Sequence, residues 1–204
     1  MATQEPEETR TDTALVRANE SALTRPEVPS DEVATVIKLV QEGGVEAFRK
    51  WLENRPGKII VLPFITLPGL IVPGVDLSGA DLRGAIITGG NLSGAELTGA
   101  KLDGLLANRC NLRGAILSGA LLQAAMFNGT DLTAARFLSA NLNGAVFTGA
   151  DCTDADFTGA HCAGAYFTGA KLMGARFLGA VLAGAYFPHG VEFSPAGRVI
   201  ATNE

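Results

Sequence analysis

The side chains that could carry chemistry in this sequence are few, and they include three cysteines and two histidines. Thiolates and imidazoles are the usual ligands of Zn²⁺. Cys152 and Cys162 are ten residues apart, and His161 directly precedes Cys162. The period described below directs the two cysteines inward from opposite walls and His161 outward, so the three side chains cannot meet at one ion. We expect buried, hydrophobic cysteines, no metal site, and a His189 without a partner.

The acidic side chains offer equally little chemistry. Asp151, Asp154 and Asp156 form a short acidic run, but Asp151 and Asp156 fall on adjacent faces of the repeat, which favours ordinary solvated surface over a cation site. The segment Gly94–Lys101 places glycines near a lysine, as a phosphate loop does, yet the repeat generates such spacings everywhere. No nucleophile and base can be brought together. We therefore predict that the chain is not an enzyme and uses no cofactor.

Composition narrows the class of protein further. The formal net charge is −5, which argues against the basic surface that direct nucleic-acid binding needs. Three cysteines are too few for a disulfide scaffold and favour a reducing compartment. No apolar stretch follows a basic start, as it does in a signal peptide. A cytoplasmic location is expected.

A five-residue period occupies most of the chain. From Val75 to His189 it runs without insertion through 23 units, whose central residues, called position i, lie at steps of five from Leu77 to Phe187. Position i is Leu, Ile, Phe or Cys in every unit except that of Ala107, position i−2 is Ala in 18 units, and position i+2 is Gly in 17. Such a sustained period indicates a repeat architecture.

The pattern resembles the pentapeptide-repeat family, whose motif is a small residue, a polar residue, Leu or Phe, and two further polar or small residues. The resemblance implies an all-β solenoid, a right-handed quadrilateral β-helix with four units to a coil. The residue chemistry is consistent with this fold. Positions i and i−2 lie on the same side of an extended segment and point inward, and Gly at i+2 can adopt the positive φ of a tight corner.

The chain divides into four expected segments. Residues 1–29 have few large apolar side chains and are expected to form a disordered, acidic N-terminal arm. Residues 30–56 are expected to form a helical N-terminal cap, with Ser30 as N-cap and a break between two helices at Gly43-Gly44. The β-helix is assigned to residues 57–189, and residues 190–204 to a C-terminal cap or tail.

The first coil is unusually apolar. The run Ile59–Val75 is short for a membrane span, and its three prolines at five-residue spacing fit turns better than a helix, so no membrane segment is expected. Val61, Phe64 and Ile71 point outward and are apolar. We expect the N-terminal helices to cover this coil and to block end-to-end stacking of exposed edges.

Residues twenty apart stack in such a coil and form four interior columns. One unit departs from the pattern, because Leu105 stands at i−2, Ala107 at i and Arg109 at i+2, and we expect a distorted corner there. Two facing columns become aromatic toward the C-terminus. The structural core ladder comprises Phe127, Phe147, Phe167 and Phe187 in one column and Phe137, Phe157 and Phe177 in the other.

The outward i−1 positions also sort by wall. Three walls mix charged, polar and apolar residues, whereas the fourth is apolar or aromatic throughout. This apolar stripe, the candidate interface, consists of Ile86, Leu106, Met126, Val146, Tyr166 and Tyr186. A continuous apolar stripe is not typical of a solvated wall. Either the N-terminal arm or the helices cover it, or it binds protein, most simply a second copy about a two-fold axis.

Two functions remain open. The first is a non-enzymatic scaffold or protein–protein interaction module that self-associates as a homodimer through the stripe. The second is implied by the resemblance, since some pentapeptide-repeat proteins mimic duplex DNA, bind type II topoisomerases such as DNA gyrase and protect them from quinolones. Mimicry needs a dominant row of acids, but residues 75–189 hold 8 acidic and 7 basic side chains, a balance of −1. The first function is therefore favoured.

Overall fold

The computed structural model describes residues 31–55, 57 and 59–201, and the arm proposed for residues 1–29, with Ser30, lies outside them. Helix α1 spans Asp31–Glu53. Its first turn carries Asp31 and Glu32, which suit the positive end of the helix dipole. Gly44 is non-helical, with φ 66° and ψ −164°, so two helical segments meet at a kink there. No helix among the described residues has the length and apolar character needed to cross a bilayer.

A ladder of parallel bridges connects residues twenty apart, from Val61 and Asp81 to Tyr166 and Tyr186. Each bridge joins two outward i−1 positions, so four units make one coil and the expected quadrilateral β-helix is confirmed. Hydrogen bonds flank every bridge in the same way. The Leu77 N–H donates to the Glu96 carbonyl at 2.7 Å, for example.

The corners are type II turns. At the first full unit of the period, the Ala80 N–H donates to the Leu77 carbonyl at 3.0 Å, and Gly79 between them has φ 66°. Position i+2 keeps a positive φ in six units that lack glycine there, at Phe64, Arg109, Ala124, Ala134, Ser139 and Asp154, although not at His189 in the last unit. The fold therefore imposes this backbone conformation, and glycine adopts it with the least strain.

The expectation of a distorted corner at Ala107 is wrong. Arg109 has φ 57°, like the other corners, and the Cys110 N–H still reaches the Ala107 carbonyl at 3.3 Å. Leu105 and Ala107 are both buried. Because the large and the small residue exchange places within one unit, the interior volume is kept and the corner needs no adjustment.

The core ladder forms an interlocked aromatic interior. Within each column the rings stack with centroids 4.7–5.2 Å apart, and between columns they meet edge to face at 5.5–6.2 Å. Both arrangements are favoured by aromatic quadrupoles. Phe147 and its neighbours are fully buried, whereas Phe187 in the last coil is only half-buried.

Helix α1 closes the N-terminal end of this interior. Phe48 and Trp51 belong to one buried cluster with Leu62 of the first coil. The expectation that the helices cover the outside of that coil is wrong in part, because Val61 and Ile71 remain 38% and 57% exposed. The helix packs on the open end of the coil and leaves its outer walls free.

A short hairpin closes part of the C-terminal end. Strands β1, Glu192–Phe193, and β2, Val199–Ala201, pair antiparallel. The Phe177 N–H donates to the Gly197 carbonyl at 2.7 Å, so the hairpin continues one wall of the last coil. Among the described residues, no hydrogen bond reaches the backbone N–H groups of Leu182 or Phe187 on the other walls.

Candidate interaction surface

The bridge ladder positions the apolar stripe. Each stripe residue occupies position i−1 of its unit and is bridged to the next one along, from Ile86 to Tyr186. The inward residues on either side of each bridge fix the direction of the stripe side chain, since successive residues of an extended segment alternate in direction. Tyr166 and Tyr186 stack with ring centroids 4.7 Å apart and an interplanar angle of 8°. The six side chains therefore form one column along the outside of the wall.

The stripe is unevenly exposed. Tyr186 at the C-terminal end is 55% exposed, whereas Met126 and Val146 at the centre are only 6% and 3% exposed. Ile86, Leu106 and Tyr166 are intermediate. All six stripe residues are thus apolar or aromatic, but those at the centre are almost inaccessible to solvent.

Polar corner residues border the stripe on one side. Asn108 and Asn128 occupy position i+1 beside Leu106 and Met126, and the Asn108 Oδ1 accepts a hydrogen bond from the Asn128 N–H at 2.9 Å. The Asn128 Oδ1 itself is buried, and no described group donates to it. Buried polar atoms almost always have a partner. This pair is not among the residues predicted from the sequence, although two asparagines twenty residues apart are a signal that could have shown it.

The charges of the other walls are paired or interleaved. The Arg83 guanidinium donates two hydrogen bonds to the Asp81 carboxylate, from Nε at 2.8 Å and from Nη2 at 2.7 Å. Burial acts to raise the pKa of Asp81, but the hydrogen bonds and charge of Arg83 outweigh it, and the pKa lies below its usual value. Lys171 lies 3.5 Å from Asp151. These contacts break up the row of acids that duplex mimicry would need.

The remaining candidates for chemistry do not converge. Cys152 and Cys162 are buried and free, and burial raises the pKa of both thiols, that of Cys162 to about 12. His161 and His189 are exposed. In the part of the chain that the structure describes, no group of three or more His, Cys, Asp or Glu side chains could hold a metal ion.

A cavity of about 730 Å³ lies between α1 and the first coil. Its lining includes Arg49, Leu52, Val72 and Asp76. Arg49 already has two carboxylate partners within its own helix, Glu46 and Glu53. This cavity marks the junction between cap and β-helix and offers no arrangement of groups suited to a reaction.

Comparisons with known proteins agree with the geometry. A family model described as pentapeptide repeats matches eight copies within residues 76–188, more than half of the chain, over segments 76–114, 108–137, 115–151, 127–161 and 150–188. No curated protein matches the chain.

Solved structures give similar chains with low TM-scores. Trypsin-treated QnrB1, a plasmid-mediated fluoroquinolone resistance protein, is 21% identical with a TM-score of 0.43, covering 65% of this chain and 80% of its own. The pentapeptide repeat protein Rfr23 from the cyanobacterium Cyanothece 51142 is 20% identical with a TM-score of 0.30, covering 70% and 92%. A pentapeptide repeat protein of the Arabidopsis thaliana thylakoid lumen is 30% identical with a TM-score of 0.26, covering 52% and 68%.

Proposed function

The chain belongs to the pentapeptide-repeat family, and from that premise we propose that it is a non-enzymatic interaction module that self-associates as a homodimer through the apolar stripe. One observation carries the proposal. A single wall of the β-helix has apolar or aromatic residues at all six successive outward positions, from Ile86 to Tyr186, while the other walls mix charge and polarity. We also propose a reducing, cytoplasmic setting, which the free cysteines support.

A two-fold axis suits the shape of the stripe. Five bridge steps separate its ends, about 24 Å at the usual strand spacing. An axis through the midpoint, between Met126 and Val146, would bring the Tyr186 end of each copy to the Ile86 end of the other. Such an isologous contact buries the same patch on both copies and places the exposed Tyr186, with Tyr166 beside it, over the partner's aliphatic side chains.

The solution mass tests this proposal. The wild-type chain should have twice the mass of its 21.1 kDa monomer by light scattering. Tyr186→Glu should give the monomer, because it places a charge at an exposed position inside the interface. Leu106→Glu should do the same at a partly exposed position of the stripe.

Leu121→Glu is the matched control. Leu121 points outward from the same coil as Met126 but from another wall, and it is 41% exposed. This variant should remain a dimer, and circular dichroism should show that all three variants keep the β-helix. A wild-type protein that is monomeric at every concentration would overturn the self-association.

A gyrase supercoiling assay with the same purified protein distinguishes this function from DNA mimicry. One wall carries three acidic and two basic side chains in its bridge column of Asp76, Glu96, Ile116, Arg136, Asp156 and Arg176. This mixture supports a protein interface of mixed charge over a duplex-like one. The purified protein should therefore leave DNA gyrase supercoiling unchanged. Inhibition of supercoiling would favour a DNA-mimicking binder of type II topoisomerase instead.

A further inference from the structure

Every wall of the β-helix presents the same hydrogen-bonding groups to the coil that follows it. The Phe157 N–H donates to the Arg176 carbonyl at 2.7 Å, and the Ala155 carbonyl accepts from the Arg176 N–H at 2.9 Å, so one residue of the next coil closes both bonds. A wall of the last coil has no following coil, and its donors and acceptors stay open unless another segment pairs with them. An open strand edge of this kind is a template for a further strand.

The C-terminal hairpin shows how the last coil accepts an extended segment. On the wall that contains Phe177, the Gly197 carbonyl of the hairpin accepts a hydrogen bond from the Phe177 N–H at 2.7 Å. The Val199 N–H donates to the Ala175 carbonyl at 2.8 Å, and the Val199 side chain is buried. From Gly197 to Val199 the strand runs antiparallel to the wall, and so away from the next wall at residues 180–184.

The wall of residues 180–184, with Val181 pointing outward, has the same groups but no segment paired with them. Among the residues that the structure describes, no backbone group accepts from the Leu182 N–H or donates to the Ala180 carbonyl. Leu182 is half-buried, whereas Cys162, which precedes it in the interior column, is fully buried. This edge therefore lacks both the hydrogen bonds and the apolar cover that β2 gives to the neighbouring wall.

We propose that this wall binds an extended peptide segment of a partner protein, which adds to the edge as a further antiparallel β-strand. The Leu182 N–H and the Ala180 carbonyl bond to the peptide backbone, as the equivalent groups of the neighbouring wall bond to β2. An apolar side chain of the peptide covers Leu182. Val181, which is 45% exposed, borders the edge and adds apolar contact.

The sequence of β2 indicates which segment the edge accepts. A Cβ atom added at Gly197 would lie 2.8 Å from the backbone nitrogen of Leu178, so glycine is required at this close approach. Two residues further on, Val199 belongs to the buried core. The partner segment therefore has glycine, a variable residue and a branched apolar residue in succession.

The hairpin also favours a single strand over a second copy as the occupant. β2 pairs with the last coil on one side and with β1 on the other, so the hairpin extends two strand spacings, about 10 Å, beyond that coil. A single strand fits beside this projection, whereas the flat end of a second copy meets the hairpin first.

A nuclear magnetic resonance titration of the full-length, isotope-labelled chain tests this site. The probe is a synthetic peptide with the sequence of residues 194–201, because β2 itself shows the pairing. Binding should saturate in the millimolar range, since few hydrogen bonds hold the peptide. With the peptide at ten times its dissociation constant, the Leu182 amide should exchange about tenfold more slowly, because only the unoccupied edge exchanges. The Phe177 amide, which is bonded to the native hairpin, should not change.

Two variants of the peptide are the matched controls. Val199→Pro removes the N–H that pairs with the wall, and Gly197→Leu places a side chain at the close approach, so neither peptide should protect the Leu182 amide. Equal protection by the Val199→Pro peptide, or no saturable change up to the solubility limit of the peptide, would overturn strand addition. Faster exchange at Phe177 would show that the peptide replaces the native hairpin, which would also overturn the proposal. Protection of Leu182 that grows with chain concentration and without peptide would identify a second copy as the occupant instead.

Discussion

At its N-terminal end the β-helix is closed by a kinked helix that places Phe48 and Trp51 in the buried core, with exposed fractions of 2% and 9%. At its C-terminal end a hairpin of five strand residues continues a single wall. Phe193 covers the end of the phenylalanine ladder edge to face, 5.8 Å from Phe177 and 5.6 Å from Phe187, yet it is itself 41% exposed.

The two ends of the β-helix also differ in how many large hydrophobic side chains they expose. Three large hydrophobic side chains are exposed at the first coil, Ile59, Val61 and Ile71, against six around the last coil and hairpin, namely Met173, Leu178, Val181, Tyr186, Phe193 and Ile200. A solenoid needs a cap wherever a coil has no neighbour to pack against. One end of this chain meets that need with a packed helix, and the other meets it in part. The C-terminal coil should therefore be the less stable part of the rod, and exposed Tyr186 belongs to that coil.

The largest effect is expected at the N-terminal cap. Trp51→Ala should lower the free energy of unfolding by about 3–5 kcal/mol, because the indole is buried between Phe48 and the first coil and its removal leaves a cavity. Urea denaturation measures the loss. The variant should also aggregate more readily, since loosening α1 exposes the open edge of the first coil. A loss below about 1 kcal/mol would show that the helix is not the cap that the burial indicates.

A smaller and more local effect is expected at the other end. Phe193→Ala should cost about 1–2 kcal/mol, because the ring is half-exposed and loses two edge-to-face contacts. Hydrogen exchange should locate the loss at the Gly174 and Phe177 amides, which bond to the hairpin. The Leu62 amide, which bonds within the first coils, should exchange as in the wild type. Equal acceleration at both sites would contradict the independence of the two ends.

Much of this architecture follows from the period of the sequence. Side chains at i and i−2 must point inward if four units close a coil, so the facing positions of Phe147 and Phe157 could be predicted without coordinates. The regular corner at Ala107 could not be predicted in this way, because the period shows which position a residue occupies but not how neighbouring side chains share the interior volume. Leu105 fills the space that Ala107 leaves, a compensation between two positions that a motif treats separately.

The candidate surface was predictable to a similar degree. The wall assignment of Met126 and Tyr186 follows from counting residues, but their exposed fractions of 6% and 55% do not. Exposure depends on what lies over a wall and on whether a coil follows it. The hairpin was missed for a related reason, since two short strands after His189 carry almost no periodic signal. Their place is set by the hydrogen bonds left open on the last coil.

The smallest effects are expected from one ion pair at each end. Glu32 and Arg55 are paired with side chains 24% and 31% exposed, and the Arg55 guanidinium lies 4.1 Å from the centre of the Trp51 ring. Asp154 and Arg198 are 3.0 Å apart with side chains 58% and 50% exposed. Exposed pairs contribute little because water and salt screen them. Glu32→Gln should therefore cost about 0.5–1 kcal/mol, since it removes a partner that also holds Arg55 over Trp51.

Asp154→Asn is the matched variant at the C-terminal end, and it should cost less than about 0.5 kcal/mol. Asn also suits the positive φ of 56° at this corner, which offsets part of the lost attraction. Thermal denaturation at low and at high salt distinguishes the effects of the two substitutions. The Glu32→Gln deficit should shrink only partly in high salt, because the pair is half-buried, whereas the Asp154→Asn deficit should vanish. If both deficits vanished together, the N-terminal pair would be as solvated as the C-terminal one, and the helical cap would owe its stability to apolar packing alone.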